Sequence, residues 1–156
     1  MDLALYDRRI RDLAACSDSI GRLAEPDASA TAHSRLCGSR VTVDIRVRDG
    51  VVAAYGHHVR ACVIGRASAA LLARLIVGLP VPALHTGRAA MHALLTARRI
   101  PAAGPWQALE VFLPVAEYPS RHGAVLLPFD AVEQALAQLG IEAEGLTPSP
   151  STRSFP

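Results

Sequence analysis

Residues 40–60 read RVTVDIRVRDGVVAAYGHHVR, and the fold class follows from how that stretch alternates. Val41, Val43, Ile45 and Val47 alternate with Arg40, Thr42, Asp44, Arg46 and Arg48. A period of two is the mark of a half-buried strand. Asp49-Gly50 is the residue pair of a tight hairpin turn. Val51, Ala53 and Tyr55 carry the alternation onto a second strand, and Val59 and Ala61 keep its phase. A β-hairpin over about 40–60 is therefore expected.

A hairpin fixes which residues face each other. With Asp49-Gly50 as a two-residue loop, Arg48 faces Val51 and Cys37 faces Cys62. The apolar phases favour a second register, in which Val47 opposes Val51 across a three-residue loop with Gly50 in a left-handed bulge. Cys37 then faces Ala61, and a bulge near Gly56 would restore the first register. Either way the two cysteines bracket the hairpin. Opposed side chains have Cβ atoms about 4.5–5.5 Å apart. That span suits two thiolates on one zinc, at about 2.3 Å each, or a disulfide with Cα atoms about 5.5–6 Å apart.

Beyond the hairpin the period changes. Val63, Ile64, Ala67, Leu71, Leu72, Leu75 and Ile76 form a broad helical face, with Gly78 and Pro80 as the stop. A second helix is expected over about 86–98, before Pro101, and residues 105–117 divide between helix and turns. Val132, Ala135, Leu136 and Leu139 make a last helix closed by Gly140. At the other end Leu3, Tyr6, Ile10 and Leu13 recur at helical spacing. Residues 17–36 read as loop or short turns. A hairpin packed by several helices is α+β. One domain over 1–142 and a flexible Pro/Ser/Thr-rich tail over 143–156 are expected. No βαβ alternation and no GxGxxG support a dinucleotide fold.

Composition narrows the chemistry. The 156 residues carry a net charge of +2, spread along the chain, which argues against nucleic acid as a partner. All sixteen basic residues are arginine, so a lysine Schiff base and a Walker A lysine are excluded. Arg66 and Arg74 interrupt the most apolar stretch, so no membrane span is expected. The charged N-terminus lacks the apolar core of a secretory signal, and the three cysteines read as reduced thiols of a cytoplasmic protein. Cys62 stands where strand gives way to helix, beside Arg60 and Arg66, and a helix N-terminus favours a thiolate. Cys16 reads as a small apolar residue of the first helix.

Three segments resemble the motifs of the iron–sulfur cluster assembly scaffold family, the IscU/SufU/NifU N-terminal type. Leu36-Cys37-Gly38-Ser39 resembles its Cys-Gly-Asp motif. The run from Ala61 through Cys62, Ile64, Ala67 and Ser68 to Ala69 resembles its Gly-Cys-x-Ile-Ser-x-Ala-Ser motif. Tyr118 to Phe129 resembles the third, SufU-like motif, and the likeness runs from about residue 3 to 140. The resemblance implies a SufE/NifU-like fold and a scaffold rather than an enzyme. In that family three cysteines and an aspartate bind iron or zinc, accept persulfide sulfur from a cysteine desulfurase and build a transient [2Fe–2S] cluster. Cys37 and Cys62 carry two of those four groups over. Ser39 stands in place of the aspartate and Ala124 in place of the third cysteine.

Two thiolates do not close a tetrahedral site. His122 is the first candidate to complete it, with His57 and His58 behind, since adjacent strand residues point to opposite faces and at most one of these two faces the thiols. Arg121 matches the motif arginine and is expected to bind a sulfur-bearing anion or orient a partner. Three functions follow from the resemblance. The first is a scaffold holding iron or a cluster at Cys37 and Cys62, in a homodimer if a second copy completes the site, and passing it to recipient apo iron–sulfur proteins. The second is a persulfide acceptor, and the third a regulator that keeps the fold but not the chemistry.

Overall fold

The computed structural model describes residues 7–35 and 38–140. Leu3 and Tyr6 of the expected first helix, Cys37, and the expected tail over 143–156 lie outside them. Helix α1 spans Arg8–Cys16, and a 3-10 turn follows at Ser17–Ser19. Strands β1 (Ala28–His33), β2 (Arg40–Arg48) and β3 (Val51–Arg60) form one antiparallel sheet in the order β1-β2-β3. Helices α2 (Val63–Ile76) and α3 (Val81–Ala97) come next, then a 3-10 segment at Pro105–Glu117 and helix α4 (Pro119–Gln138). Among the described residues no helix is long and apolar enough to cross a membrane.

The hairpin forms as its sequence demands, but with a different register. Asp49 and Gly50 have φ of 55° and 77°, the left-handed pair of a type I′ turn, and Arg48 pairs with Val51. The register then shifts: Val47 pairs with Val52, whereas Arg46 pairs with Ala54. Ala53 is the extra residue of a β-bulge. Both expected registers are thereby corrected: the two-residue loop is kept, and the bulge lies at Ala53, not near Gly56. The ladder closes on Arg40 opposite Arg60.

This register sorts the faces. Val41, Val43 and Ile45 are fully buried, with Ala28, Ala30 and Ala32 of β1 and Tyr55 and His57 of β3 on the same side. Helices α1, α2 and α4 complete the core with Ile10, Ile64, Leu72, Val125 and Leu136. Asp7 caps α1, its carboxylate accepting from Ile10 N at 3.1 Å. The hairpin tip anchors the α2–α3 connection: Gly78 N donates to Val52 O, Val52 N to Leu79 O and Val81 N to Gly50 O, each at 2.9 Å.

Two elements differ from expectation. Residues 28–33 form a strand inside the stretch expected to be loop. Its alanines have weak strand propensity, and pairing with β2 supplies what propensity lacks. Gln138 clasps this edge strand from α4, with Nε2 donating to Ser29 O at 2.6 Å and Oε1 accepting from Ser29 N at 3.3 Å. Helix α4 starts at Pro119, thirteen residues before Val132, and runs through Pro128. Pro128 has no N–H for the Ala124 carbonyl, and Ser68 Oγ on α2 donates to the neighbouring Val125 O at 2.7 Å.

Asp44 points to the outer face of the sheet yet is fully buried. A strap at residues 21–23 crosses it. Arg22 grips the carboxylate through Nε at 2.6 Å and a second guanidinium nitrogen at 2.9 Å, while Leu23 N and Ser29 Oγ donate at 3.0 and 2.5 Å. Burial raises the Asp44 pKa, but these donors outweigh it and hold the carboxyl below its usual range. The strap passes so close that a Cβ on Gly56 would lie 2.7 Å from Gly21 O and Leu23 N.

His57 is 2 % exposed. Its Nε2 meets Ser17 O at 2.9 Å, so Nε2 carries the proton, and Nδ1 accepts from Tyr55 Oη at 3.0 Å. Burial pushes its pKa below the ordinary imidazole value. The unfolded chain therefore takes up a proton near pH ~6.5 that the folded chain refuses. Stability should fall as pH drops below ~6.5, with a slope of up to ~1.4 kcal/mol per pH unit. Thermal melts between about pH 7 and about pH 5.5 should show a steeper decline in wild type than in His57→Gln, and equal slopes would contradict this role.

Helix α3 meets the 3-10 segment at Gly87. A Cβ there would lie 2.4–2.6 Å from three atoms of the Trp106 indole, which is fixed by its Nε1 donating to Ala83 O at 3.1 Å. Gly87→Ala gains ~1 kcal/mol of helix propensity but forces a pinned ring to move, an overpacking cost of about 1–3 kcal/mol. A lower melting temperature in Gly87→Ala than in wild type is the expected result; a higher one would show that the indole moves freely.

Candidate functional site

The site is built where the sheet hands the chain to α2. Cys62 is the N-cap residue of that helix, with extended φ and ψ of −70° and 173°, and its thiol makes no capping hydrogen bond. It is half-buried and carries a free thiol. The first turn of α2 contains no acidic residue.

The first-motif loop returns on itself beside it. Gly38 has φ of 72°, a left-handed conformation suited to glycine. Gly38 N donates to Ser34 O and Ser34 N to Ser39 O, each at 2.9 Å. These bonds tie the loop into the start of β2. Ser39 is 3 % exposed. Leu36 and Cys37 lie outside the described residues.

The third-motif segment closes on both. A Cβ added to Gly65 of α2 would lie 3.7 Å from Ala124 Cβ and 2.9 Å from Ala61 Cβ. The tight contact is with Ala61, and Ala124 of α4 lies against α2 at ordinary van der Waals distance. One residue earlier, Gly123 lies against Ser34 of the loop, at 4.0 Å from an added Cβ to Ser34 Oγ. The loop before β2, the start of α2 and the first turn of α4 therefore converge at one end of the molecule. Ala124 is buried against Gly65, so its methyl fills the position rather than leaving it open.

The histidines separate clearly. His122 is half-buried, and its Nε2 donates to Val115 O at 3.1 Å and Ala116 O at 3.2 Å. The ring thus anchors the end of the 3-10 segment and keeps Nδ1 as its remaining nitrogen. His57 uses both nitrogens inside the core. His58 is exposed on the outer face, opposite Thr42. Arg121 is half-buried in the first turn of α4. Among the described residues no three His, Cys, Asp or Glu side chains come together as a metal site. Cys16 lies elsewhere, on α1, where the Arg74 guanidinium reaches its Sγ at 3.4 Å.

Comparison with known proteins places this arrangement. No protein-family model and no curated protein matches the chain. Among solved structures, the N-terminal part of a nitrogen-fixing NifU-like protein from Brucella abortus is 42% identical, with a TM-score of 0.83 over 88% of this chain and 95% of that one. A structure described as an iron–sulfur cluster assembly scaffold protein for the SUF system, from Fervidobacterium islandicum, shares the fold at 20% identity, with a TM-score of 0.78 over 87% of this chain and 99% of that one. With its three-stranded antiparallel sheet packed by helices, and 42% identity over 88% of its length to the NifU-like structure, the chain belongs to the IscU/SufU/NifU-like scaffold family.

Proposed function

We propose that this protein is an iron–sulfur cluster assembly scaffold that receives sulfur and iron at Cys62 and Cys37 and passes them to recipient apo proteins. The observation that carries the reading is the position of Cys62. It is a half-exposed thiol at the N-cap of α2, next to Ala61 and three residues before Gly65, against which Ala124 of α4 packs.

The chemistry of sulfur uptake needs only a thiolate and a donor. The Cys62 thiolate attacks the outer sulfur of a persulfide on a cysteine desulfurase. A new S–S bond forms on Cys62 as the donor's S–S bond breaks, and the desulfurase cysteine leaves as a thiolate. No outside electron is required. Cys37 supplies the second thiol, and Arg121 favours the anionic persulfide.

Holding iron demands more. A [2Fe–2S] cluster takes four protein ligands, and Cys37 and Cys62 offer two. Ser39 is a weak ligand, and His122 has only Nδ1 to give. A second copy of the chain would supply the other pair. The buried methyl of Ala124 favours sulfur acceptance as a second reading, in which the chain carries persulfide and another protein assembles the cluster.

Incubation with a cysteine desulfurase and cysteine should add one sulfur per chain, removable by reductant. Cys62→Ser should lose that gain, while Cys16→Ser should keep it. Anaerobic reconstitution with iron and sulfide should give charge-transfer absorption that Cys62→Ala abolishes if the chain builds clusters, and sulfur uptake without colour if it only carries persulfide. A Cys62→Ser chain that takes up as much sulfur and iron as wild type would overturn the proposal.

A further inference from the structure

Sheet register produces a charge arrangement that the fold itself does not need. On the outer face, His33 of β1 pairs with Arg40 of β2, and Arg40 pairs with Arg60 of β3. All three are exposed. Adjacent strands are about 4.8 Å apart, so the three basic side chains form one row across the sheet. Like charges placed directly opposite each other destabilise a sheet. Strand β3 carries no acidic residue, and the one in β2 is Asp44. Asp44 is already occupied by Arg22 and enclosed by the strap. Among the described residues, neither Arg40 nor Arg60 forms an ion pair.

The row adjoins the thiol site. Arg60 lies two residues before Cys62, and Arg40 follows Ser39 at the end of the first-motif loop. Next to it on the same face, Thr31 and Thr42 hydrogen-bond each other at 2.8 Å, beside exposed His58. The strap crosses the face at Asp44 and Gly56, while His33, Arg40 and Arg60 toward Cys62 remain exposed.

We propose that this row, His33, Arg40 and Arg60, is the docking surface for a carboxylate-rich patch on the protein that delivers sulfur to Cys62. The identity of that partner rests on the function proposed above; its charge rests on the row alone. A protein surface suits the row better than nucleic acid, because the basic residues form a short bar across the sheet rather than a track along a groove, and among the described residues no Phe, Tyr or Trp stands on this face of the strands to stack a base. The repulsion between Arg40 and Arg60 is relieved when carboxylates of the partner settle between them. Complementary charge of this kind speeds encounter and sets orientation, here with Cys62 at the edge of the interface.

Binding of the full chain to the cysteine desulfurase of its own host, measured by calorimetry at low and high salt, tests this. Wild-type affinity should fall as salt rises. Arg60→Glu should weaken binding about tenfold or more, yet raise the melting temperature, because it turns a like-charge pair with Arg40 into an ion pair. Arg40→Glu should behave alike, and Arg99→Glu, an exposed charge outside the sheet, should bind as wild type. Cys62→Ser should bind normally but take up no sulfur, so loss of docking and loss of acceptor chemistry are read separately. Wild-type affinity in Arg60→Glu and Arg40→Glu, no desulfurase binding by wild type, or Arg60-dependent binding to duplex DNA or anionic vesicles in its place would each overturn the proposal.

Discussion

One inserted residue governs the molecule. The type I′ turn at Asp49-Gly50 starts the β2–β3 ladder in one phase, and the bulge at Ala53 changes that phase. A side-chain period of two means that a one-residue slip would exchange the two faces of a strand. Without the extra residue, Val43 would oppose Gly56 and Val41 would oppose His58. With it, His57 and Val59 join Val43 and Val41 on the core side, and His58 and Arg60 turn outward. The inward His57 then needs both its hydrogen bonds, which Tyr55 and the Ser17 carbonyl supply. Gly56 turns outward, where only a residue without a Cβ lets the strap cross to reach Asp44.

The strap is the second consequence. A carboxylate at Asp44 is costly to bury without compensation, and four donors converge on it from Arg22, Leu23 and Ser29. That cluster joins the segment after α1 to both β1 and β2. It also divides the outer face into an enclosed half and an open half. The open half adjoins Cys62, and there His33, Arg40 and Arg60 remain exposed.

The hairpin was legible because two independent signals agree there: strict alternation and an Asp-Gly turn. The faces of β2 and of β3 from Tyr55 onward were legible too, since the apolar phases demanded the parity that the bulge provides; Val51 and Ala53, expected on the apolar side, instead give that place to buried Val52. The device was not, because a bulge and a three-residue loop restore the same parity, and only the observed pairing separates them. Strand β1 escaped the sequence because ASATAH has small, weakly strand-forming residues whose alternation is visible only against a partner. The start of α4 was not legible, because residues 119–131 hold two prolines, which disfavour a helix in general, although Pro119 fits the first helical turn and Pro128 is tolerated beside Ser68. Cys62 at a helix start was readable from the change of period at Val63. The row of His33, Arg40 and Arg60 was not, since it needs a strand that the sequence did not announce.

The site end shows how substitution and packing are linked. Ala124 of α4 is buried against Gly65 of α2. Its methyl packs there and, being a hydrocarbon, offers no ligand. The neighbouring His122 is likewise drawn into structure, donating to two carbonyls at the end of the 3-10 segment. Both residues nearest the expected third-ligand position thus stabilise the junction of α4 with its neighbours. Among the described candidates, Cys62 is the one whose side chain makes no capping bond. A thiol with no capping bond at a helix start, whose first turn carries no acidic residue, suits the proposed role of sulfur acceptor better than that of a metal ligand acting unaided.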